Sequence, residues 1–228
     1  MVRILALETS TQRGDIAILE DGLLVDQRRL DSSEMSAKSL IPAVSQALAA
    51  ARLKSTDLDL LAVALGPGSF TGLRVGVTIA KTMAYTSNAA ILGVDTLRAV
   101  AAGSQTDNGI VAAVIDAQRN QIFVQTFFCS AAGHAEPTGE LTIKDVDSWL
   151  EDLPRDLPMT GPGLARIAPR LPTTVRVVDP TLWTPTAETV GRLARLDYER
   201  GVRHDHWSLT PRYGRPSAAE EKIQPSGP

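Results

Sequence analysis

Two hydrophobic periods alternate along this chain. Short, almost continuous apolar runs predict buried strands, whereas apolar residues at three- and four-residue steps predict helices packed on a sheet. The runs that predict strands are residues 2–7, 16–19, 23–25, 58–65, 91–94, 110–115, 122–128 and 174–178. The helical periods cover residues 35–53, 72–85, 145–151 and 187–200. This alternation predicts an α/β fold, a mixed sheet flanked by helices.

The second half of the chain partly repeats the order of the first half, which predicts two lobes. A polar stretch between Gly103 and Gly109 is the expected seam, so the lobes are assigned to residues 1–102 and 103–215. Residues 216–228 are poor in core-forming side chains, and we expect them to form a disordered tail.

Composition narrows the function classes. The chain has 228 residues with 23 basic and 26 acidic side chains, a net charge of −3, so unaided binding to tRNA or DNA is not expected. One cysteine, Cys129, excludes an intrachain disulfide and a thiolate zinc site. No apolar run approaches the ~18 residues of a membrane span, and the run at the N-terminus is too short for a signal peptide. We therefore expect a cytoplasmic protein without a membrane partner.

The most informative segment is the glycine-rich stretch "LGPGSFTGLRVG" at residues 65–76. It leaves a strand, turns and enters a helix, and backbone N–H groups at such a turn form a natural anion site. Ser69 and Thr71 are placed to cap the helix or to bind a phosphate. No Gly-Lys-Ser/Thr follows, so this is not a Walker loop, and a purely structural turn is an equally good interpretation.

Gly72, Gly76 and Ala80 lie four residues apart and predict a smooth ridge on one helical face. Glycine inside a helix costs about 0.5–1 kcal/mol relative to alanine, and close helix packing is the obvious compensation. The spacing does not say whether the partner helix belongs to this chain or to another.

Together the quoted stretch and the segment "LALETST" near the N-terminus resemble the TsaB (YeaZ) family, and the resemblance continues through "LIPAVSQAL", "ILGVDTL", "IDAQRNQIF" and "LTPRYGRPS". It implies an actin-like ATPase fold of two RNase H-like lobes. It also implies a noncatalytic subunit required for threonylcarbamoyl transfer to adenosine of ANN-decoding tRNAs. Such a scaffold dimerises with TsaD, recruits TsaE and meets tRNA only through the complex. Whether it forms a homodimer when alone stays open.

The resemblance also implies two sets of site residues. A partner interface is expected on the first two helices, at Leu40, Ile41, Val44, Leu48, Gly72, Gly76 and Ala80. A weak nucleotide site is expected at Thr9, Ser10, Gly66, Gly68, Ser69, Thr71, Gly161 and Gly163. The chain alone is expected to need no cofactor, with ATP or ADP shared at the interface of the complex.

Catalytic and metal-binding residues are not expected. TsaD-like chemistry needs a His-x-x-x-His pair, and this chain has Ser36-Ala37-Lys38-Ser39-Leu40 at that place. The position of a second phosphate loop, residues 116–120, lacks glycine. Two alternatives remain, a glycoprotease-like peptidase and a stand-alone small-molecule kinase of the same fold. The first would need clustered ligands or a convergent base, and the second would need two intact phosphate loops.

Overall fold

A computed structural model describes residues 1–30, 37–153 and 157–214, which form two sheets with helices packed on them. The strands are β1 Arg3–Glu8, β2 Asp15–Glu20, β3 Leu23–Arg29, β4 Leu60–Gly66, β5 Ala90–Asp95, β6 Gly109–Gln118, β7 Gln121–Cys129, β8 Ala135–Pro137, β9 Thr142–Asp145 and β10 Met159–Thr160. The α-helices are α1 Ala37–Ala50, α2 Phe70–Ser87, α3 Thr96–Gly103, α4 Val146–Glu151, α5 Leu164–Ile167 and α6 Ala187–Glu199.

The first sheet has the order β3-β2-β1-β4-β5. β2 runs antiparallel to β1 and β3, whereas β4 runs parallel to β1 and β5. Both faces of β1 and β4 are buried, which explains their continuous apolar runs. The buried faces of α1 and α2 pack on one side of this sheet, and α6 packs on the other.

The second sheet has the order β10-β6-β7-β8, and β9 also pairs with β7. Its longest pairing is the antiparallel hairpin of β6 and β7. Gln118, Arg119 and Asn120 turn this hairpin with positive φ angles of 60°, 50° and 58°. The turn therefore reaches the left-handed region without glycine, which is uncommon for glutamine and arginine.

The predicted fold class is confirmed: both lobes are mixed sheets flanked by helices, as in the actin-like ATPase fold. The strand predicted at residues 174–178 is wrong, because Val177 makes only an isolated bridge to Met159. Helix α3, which the periodicity did not predict, begins at Thr96 and is capped by Asp95, whose side chain accepts a hydrogen bond from the Arg98 N–H.

One element from the second half of the chain packs on the first sheet. The apolar face of α6 shares a core with β1 and β2, including Val190, Ala6 and Leu19. Helix α6 therefore lies in the second half of the sequence but packs on the sheet of the first half. The division between residues 102 and 103 stays a prediction. The proposed tail at residues 216–228 lies outside the described residues.

None of the helices within residues 1–30, 37–153 and 157–214 combines the length and the apolar character that crossing a membrane requires.

Candidate functional site

An open cleft of about 810 Å³ separates the two lobes. The first lobe contributes the loops after β1 and β4, and the second contributes the end of β6 and the loop that enters α5. The lining residues are Ser10, Thr11, Gln12, Arg13, Gly68, Ser69, Phe70, Thr71, Ile115, Asp116, Gln118, Pro162, Gly163, Ala165, Arg166 and Thr184. Hydroxyls, backbone groups and two guanidinium groups dominate this surface, with Asp116 as its carboxylate.

The two first-lobe loops are tied to each other. The Ser69 N–H donates to the Ser10 carbonyl oxygen at 2.7 Å. A Cβ on Gly68 would overlap that same carbonyl, so glycine permits the close approach. Ser69 also caps α2, because its hydroxyl accepts from the Gly72 N–H at 3.2 Å. The glycine segment therefore acts as a structural turn and places its polar groups on the cleft.

Glu8 lies beneath the loop after β1 and is fully buried. Its Oε1 accepts from the Ser10 N–H at 2.8 Å and from the Ser10 hydroxyl, and its Oε2 lies 3.2 Å from the Thr11 hydroxyl. Burial raises the pKa of Glu8 to about 7, against the lowering effect of these hydrogen bonds. The nearby charge of Asp15 raises it further.

The second-lobe wall depends on a close glycine contact. A Cβ on Gly163 would come within 2.9 Å of the Asp116 backbone nitrogen, and the Gly163 N–H donates to the Val114 carbonyl at 3.0 Å. Arg166 faces Asp116 at 3.7 Å, and both side chains are nearly half exposed. This exposed pair leaves both side chains accessible from the cleft.

Five of the eight predicted nucleotide residues line the cleft: Ser10, Gly68, Ser69, Thr71 and Gly163. The other three lie behind its surface. Thr9 is buried under α2, and the Gly66 N–H donates to the Thr96 hydroxyl. Gly161 has φ +120°, and a Cβ there would overlap the backbone of Val114. Those three have structural roles in this chain, so their assignment to a ligand site needs correction.

The predicted interface residues need a larger correction. Leu40, Val44, Leu48, Gly72, Gly76 and Ala80 are all buried within the chain itself. A Cβ on Gly76 would overlap the Thr9 hydroxyl, so the ridge at Gly76 faces the residue that follows the chain's own β1. Ile41 alone among the seven lies on the surface, with 56% of its area exposed. The outer faces of α1 and α2 are formed by other residues.

A strap at residues 201–214 runs along α2 and β5, a packing that the sequence did not predict. His204 Nδ1 accepts from the Gly93 N–H at 3.0 Å. The Lys81 ammonium donates to the Trp207 and Leu209 carbonyls at 3.1 and 3.0 Å. These contacts hold the strap against the first lobe.

At the end of the strap, Tyr213 stacks on Phe70 with ring centroids 4.4 Å apart. The Arg74 guanidinium lies 4.0 Å above the Phe70 ring and donates from Nε to the Tyr213 hydroxyl at 2.9 Å. Phe70 also lines the cleft, so the strap reinforces the cleft rim.

Comparison with known proteins shows which family this chain resembles. The family model of TsaD, tRNA N6-adenosine threonylcarbamoyltransferase, matches residues 31–138. The chain is 33% identical over 120 residues to the TsaB of Bacillus subtilis, and 35% identical over 124 residues to the TsaB of Escherichia coli. Both are tRNA threonylcarbamoyladenosine biosynthesis proteins. A crystal structure from Pseudomonas aeruginosa, described as similar to peptidase YEAZ, is 25% identical with a TM-score of 0.81 and covers 94% of this chain and all of that one.

The chain is similar to proteins of the TsaB/YeaZ family. It spans about half the length of the curated relatives it matches, 52% and 53% of the two TsaB proteins, and the matches cover 53% and 54% of this chain. The TsaD model begins before α1 and ends at β8. That region contains α1, α2 and the cleft loop between β4 and α2. The similarity in sequence therefore includes both helices of the first lobe and one wall of the cleft.

Proposed function

We propose that this chain is a noncatalytic subunit of the machinery that transfers a threonylcarbamoyl group to adenosine of ANN-decoding tRNAs. The observation that carries the proposal is the similarity to two TsaB proteins at 33% and 35% identity. The subunit acts as a scaffold that dimerises with a TsaD-type transferase, recruits TsaE and meets tRNA through the complex. Because its proposed substrate is tRNA, we place the subunit in the cytoplasm.

The docking surface for the transferase is the outer face of α1 and α2, rather than the buried ridge expected from the sequence. Ile41 is 56% exposed on α1, and Tyr85 is 63% exposed near the end of α2. Threonines 78, 82 and 86 line the outer face of α2 between its two ends. An exposed aliphatic residue and an exposed aromatic residue on neighbouring helices fit the apolar centre of a protein interface.

Replacement of Ile41 tests this surface. Ile41→Arg places a charge at the proposed apolar centre and is expected to weaken binding to TsaD by at least about tenfold in calorimetric titration. Ile143→Arg is the matched control, because Ile143 is also an exposed isoleucine, 40% accessible, but lies on β9 of the second lobe. Equal affinity of the two variants would refute the assignment of the surface. Size-exclusion chromatography of the chain alone shows whether the same face also forms a homodimer.

We further propose that the cleft binds the phosphate groups of ATP or ADP, with the site shared in the complex. The Thr71 hydroxyl and the guanidinium groups of Arg13 and Arg166 line it, a donor set suited to phosphate oxygens. Titration of the chain with ADP, repeated with TsaD present, tests this step. The kinase alternative predicts turnover of ATP in the absence of any partner.

The peptidase alternative takes its support from the description of the Pseudomonas aeruginosa neighbour. In this chain the Ser10 hydroxyl donates to Glu8, and the Ser69 hydroxyl caps α2. His204 accepts from the Gly93 backbone, and His206 packs between Tyr85 and Trp207. These arrangements favour the scaffold. Hydrolysis of a peptide library by the purified chain would reverse that preference.

A further inference from the structure

Glu8 and Asp15 form a cross-strand carboxyl pair at the base of the cleft. They face each other in the register of β1 and β2, and both are buried, at 0% and 4% exposure. Asp15 Oδ2 accepts from the Gln27 amide and from the Ala187 N–H, both at 2.8 Å, while Oδ1 is buried and has no hydrogen-bond partner among the residues that the structure describes. No ion pair to Glu8 is present within the described ranges. Two like charges in this setting strongly disfavour double ionisation.

The hydrogen bonds around Glu8 fit the neutral acid. Its Oε1 accepts two bonds from Ser10, which leaves Oε2 as the place for a proton. The Thr11 hydroxyl lies 2.8 Å from the Arg13 carbonyl and 3.2 Å from Oε2. Because a hydroxyl has one proton, Thr11 satisfies both neighbours when it donates to the carbonyl and accepts the Glu8 proton.

The same residues connect Glu8 to the cleft surface. Ser10 and Thr11 both line the cleft, and the Ser10 carbonyl receives the Ser69 N–H from the second loop. An ionised Glu8 would place a negative charge directly beneath these groups, in an interior where solvent screens it weakly. A phosphate above them would then meet repulsion that a protonated Glu8 does not impose.

We propose that phosphate binding in the cleft is coupled to the protonation of Glu8, so that the cleft accepts an anionic ligand while Glu8 is neutral. This inference rests on the proposed function of the cleft as a phosphate site. The coupling makes Glu8 a positioning residue and a pH sensor for the loop after β1, since it touches Ser10 and Thr11 rather than the ligand. The raised pKa of Glu8, about 7, places the transition in the neutral range.

The other charged groups on the surrounding elements have partners other than Glu8. Arg29 of β3 acts on Asp15 and lowers its pKa against the dominant effect of burial. Glu188 on α6 is paired with Arg192 at 2.7 Å. Asp95, at the end of β5, has Arg212 and Arg98 as its charge partners. Arg13 and Arg166 lie on the cleft surface itself.

The test is calorimetric titration of the isolated chain with ADP from pH 6 to pH 8.5, in two buffers of different ionisation enthalpy. Above neutrality the affinity of the unsubstituted chain is expected to fall by roughly three- to tenfold per pH unit, with net proton uptake on binding. The terminal phosphate of ADP titrates with a pKa near 6, so above about pH 7 it is almost fully ionised and contributes little to the pH dependence there. Glu8→Gln mimics the neutral acid and is expected to bind ADP with an affinity constant to about twofold above pH 7.

Each outcome distinguishes the coupling from the cleft assignment. Binding that has the same pH dependence in both proteins would refute the coupling and leave the phosphate site intact. Absence of ADP binding at pH 6 in both would refute the phosphate site and the coupling with it. Failure of Glu8→Gln to fold would also contradict the inference, because the fold is required to accept a neutral group at this position.

Discussion

At the scale of single residues, Gly76 shows what a missing side chain does in this fold. Gly76 lies against Thr9, whose hydroxyl is buried without a hydrogen-bond partner among the described residues. Gly76→Ala is expected to lower the free energy of unfolding by about 1–3 kcal/mol, because the new methyl group overlaps Thr9. Urea unfolding monitored by circular dichroism measures the change.

Two further variants control this prediction. Gly103→Ala adds the same methyl group at the end of α3, where the nearest atom is 3.8 Å away, and is expected to be neutral or stabilising by up to about 1 kcal/mol. Thr9→Ala combined with Gly76→Ala is expected to recover most of the loss, since the overlapping hydroxyl is removed. If the double variant were no more stable than Gly76→Ala, the contact with Thr9 would not be the cause.

Glu8 makes stability depend on pH. The folded chain retains the Glu8 proton up to about pH 7, whereas the unfolded chain releases it near its ordinary pKa of 4.5. The corresponding stabilisation is therefore complete below pH 4.5 and is lost as pH rises through 7, an effect of about 3 kcal/mol. Glu8→Gln removes this contribution, while Asp15 titrates in both proteins. Parallel pH profiles of unfolding for the two proteins would contradict the assignment.

Residue chemistry was only partly predictable from the sequence. The glycine segment correctly indicated a turn that exposes Ser69 and Thr71 to a cleft. Thr9 was misassigned because successive residues of an extended chain point to opposite faces of the sheet. Thr9 lies on the same face as Leu7, against α2, whereas Glu8 lies on the face that α6 covers. The role of Glu8 required the cross-strand register with Asp15, which no local pattern specifies.

At the scale of elements, a buried ion pair joins α3 to α6. The Arg98 guanidinium makes two bonds to the Asp197 carboxylate, at 2.5 and 3.0 Å, and its Nε donates to the Ala135 carbonyl of β8 at 2.9 Å. The two side chains are only 14% and 16% exposed. Arg98 therefore links elements of both lobes.

Arg98→Ala is expected to lower the free energy of unfolding by about 3 kcal/mol, because it leaves Asp197 buried without its partner. Arg166→Ala is the control, since its pair with Asp116 is about half exposed and is expected to contribute less than about 1 kcal/mol. Thermal and urea unfolding of both variants check the difference. If the two variants lost similar free energies of unfolding, the ion pair between α3 and α6 would contribute no more to stability than an exposed pair.

Helices with a clear apolar face were predicted well, as α1, α2 and α6 show. α3 was not predicted because its eight residues, TLRAVAAG, are too few to establish a period and include small side chains buried on several sides. The ridge on α2 was predicted, but its partner was not, because spacing identifies a close contact without saying what makes it. The structure shows that Thr9, directly after β1, lies against Gly76.

At the scale of the whole molecule, the cleft and the outer helix face are separate surfaces of the chain. The cleft lies between the two sheets, whereas Ile41 and Tyr85 lie on the outer surface of the first lobe. The proposed phosphate site and the proposed docking surface therefore do not overlap. The fold class could be predicted from the alternation of strand-like and helix-like hydrophobic periods. The packing of α6 on the first sheet could not, because it depends on contacts between residues far apart in the sequence.

The central claim is that this chain enables threonylcarbamoyl transfer without performing it. The most direct measurement is mass-spectrometric quantification of threonylcarbamoyladenosine in an ANN-decoding tRNA incubated with TsaD, TsaE and the enzyme that forms threonylcarbamoyl-adenylate, with and without this chain. Modification is expected only when the chain is present and is expected to fall with Ile41→Arg but not with Ile143→Arg. Equal modification without the chain, or modification by the chain alone, would contradict the account.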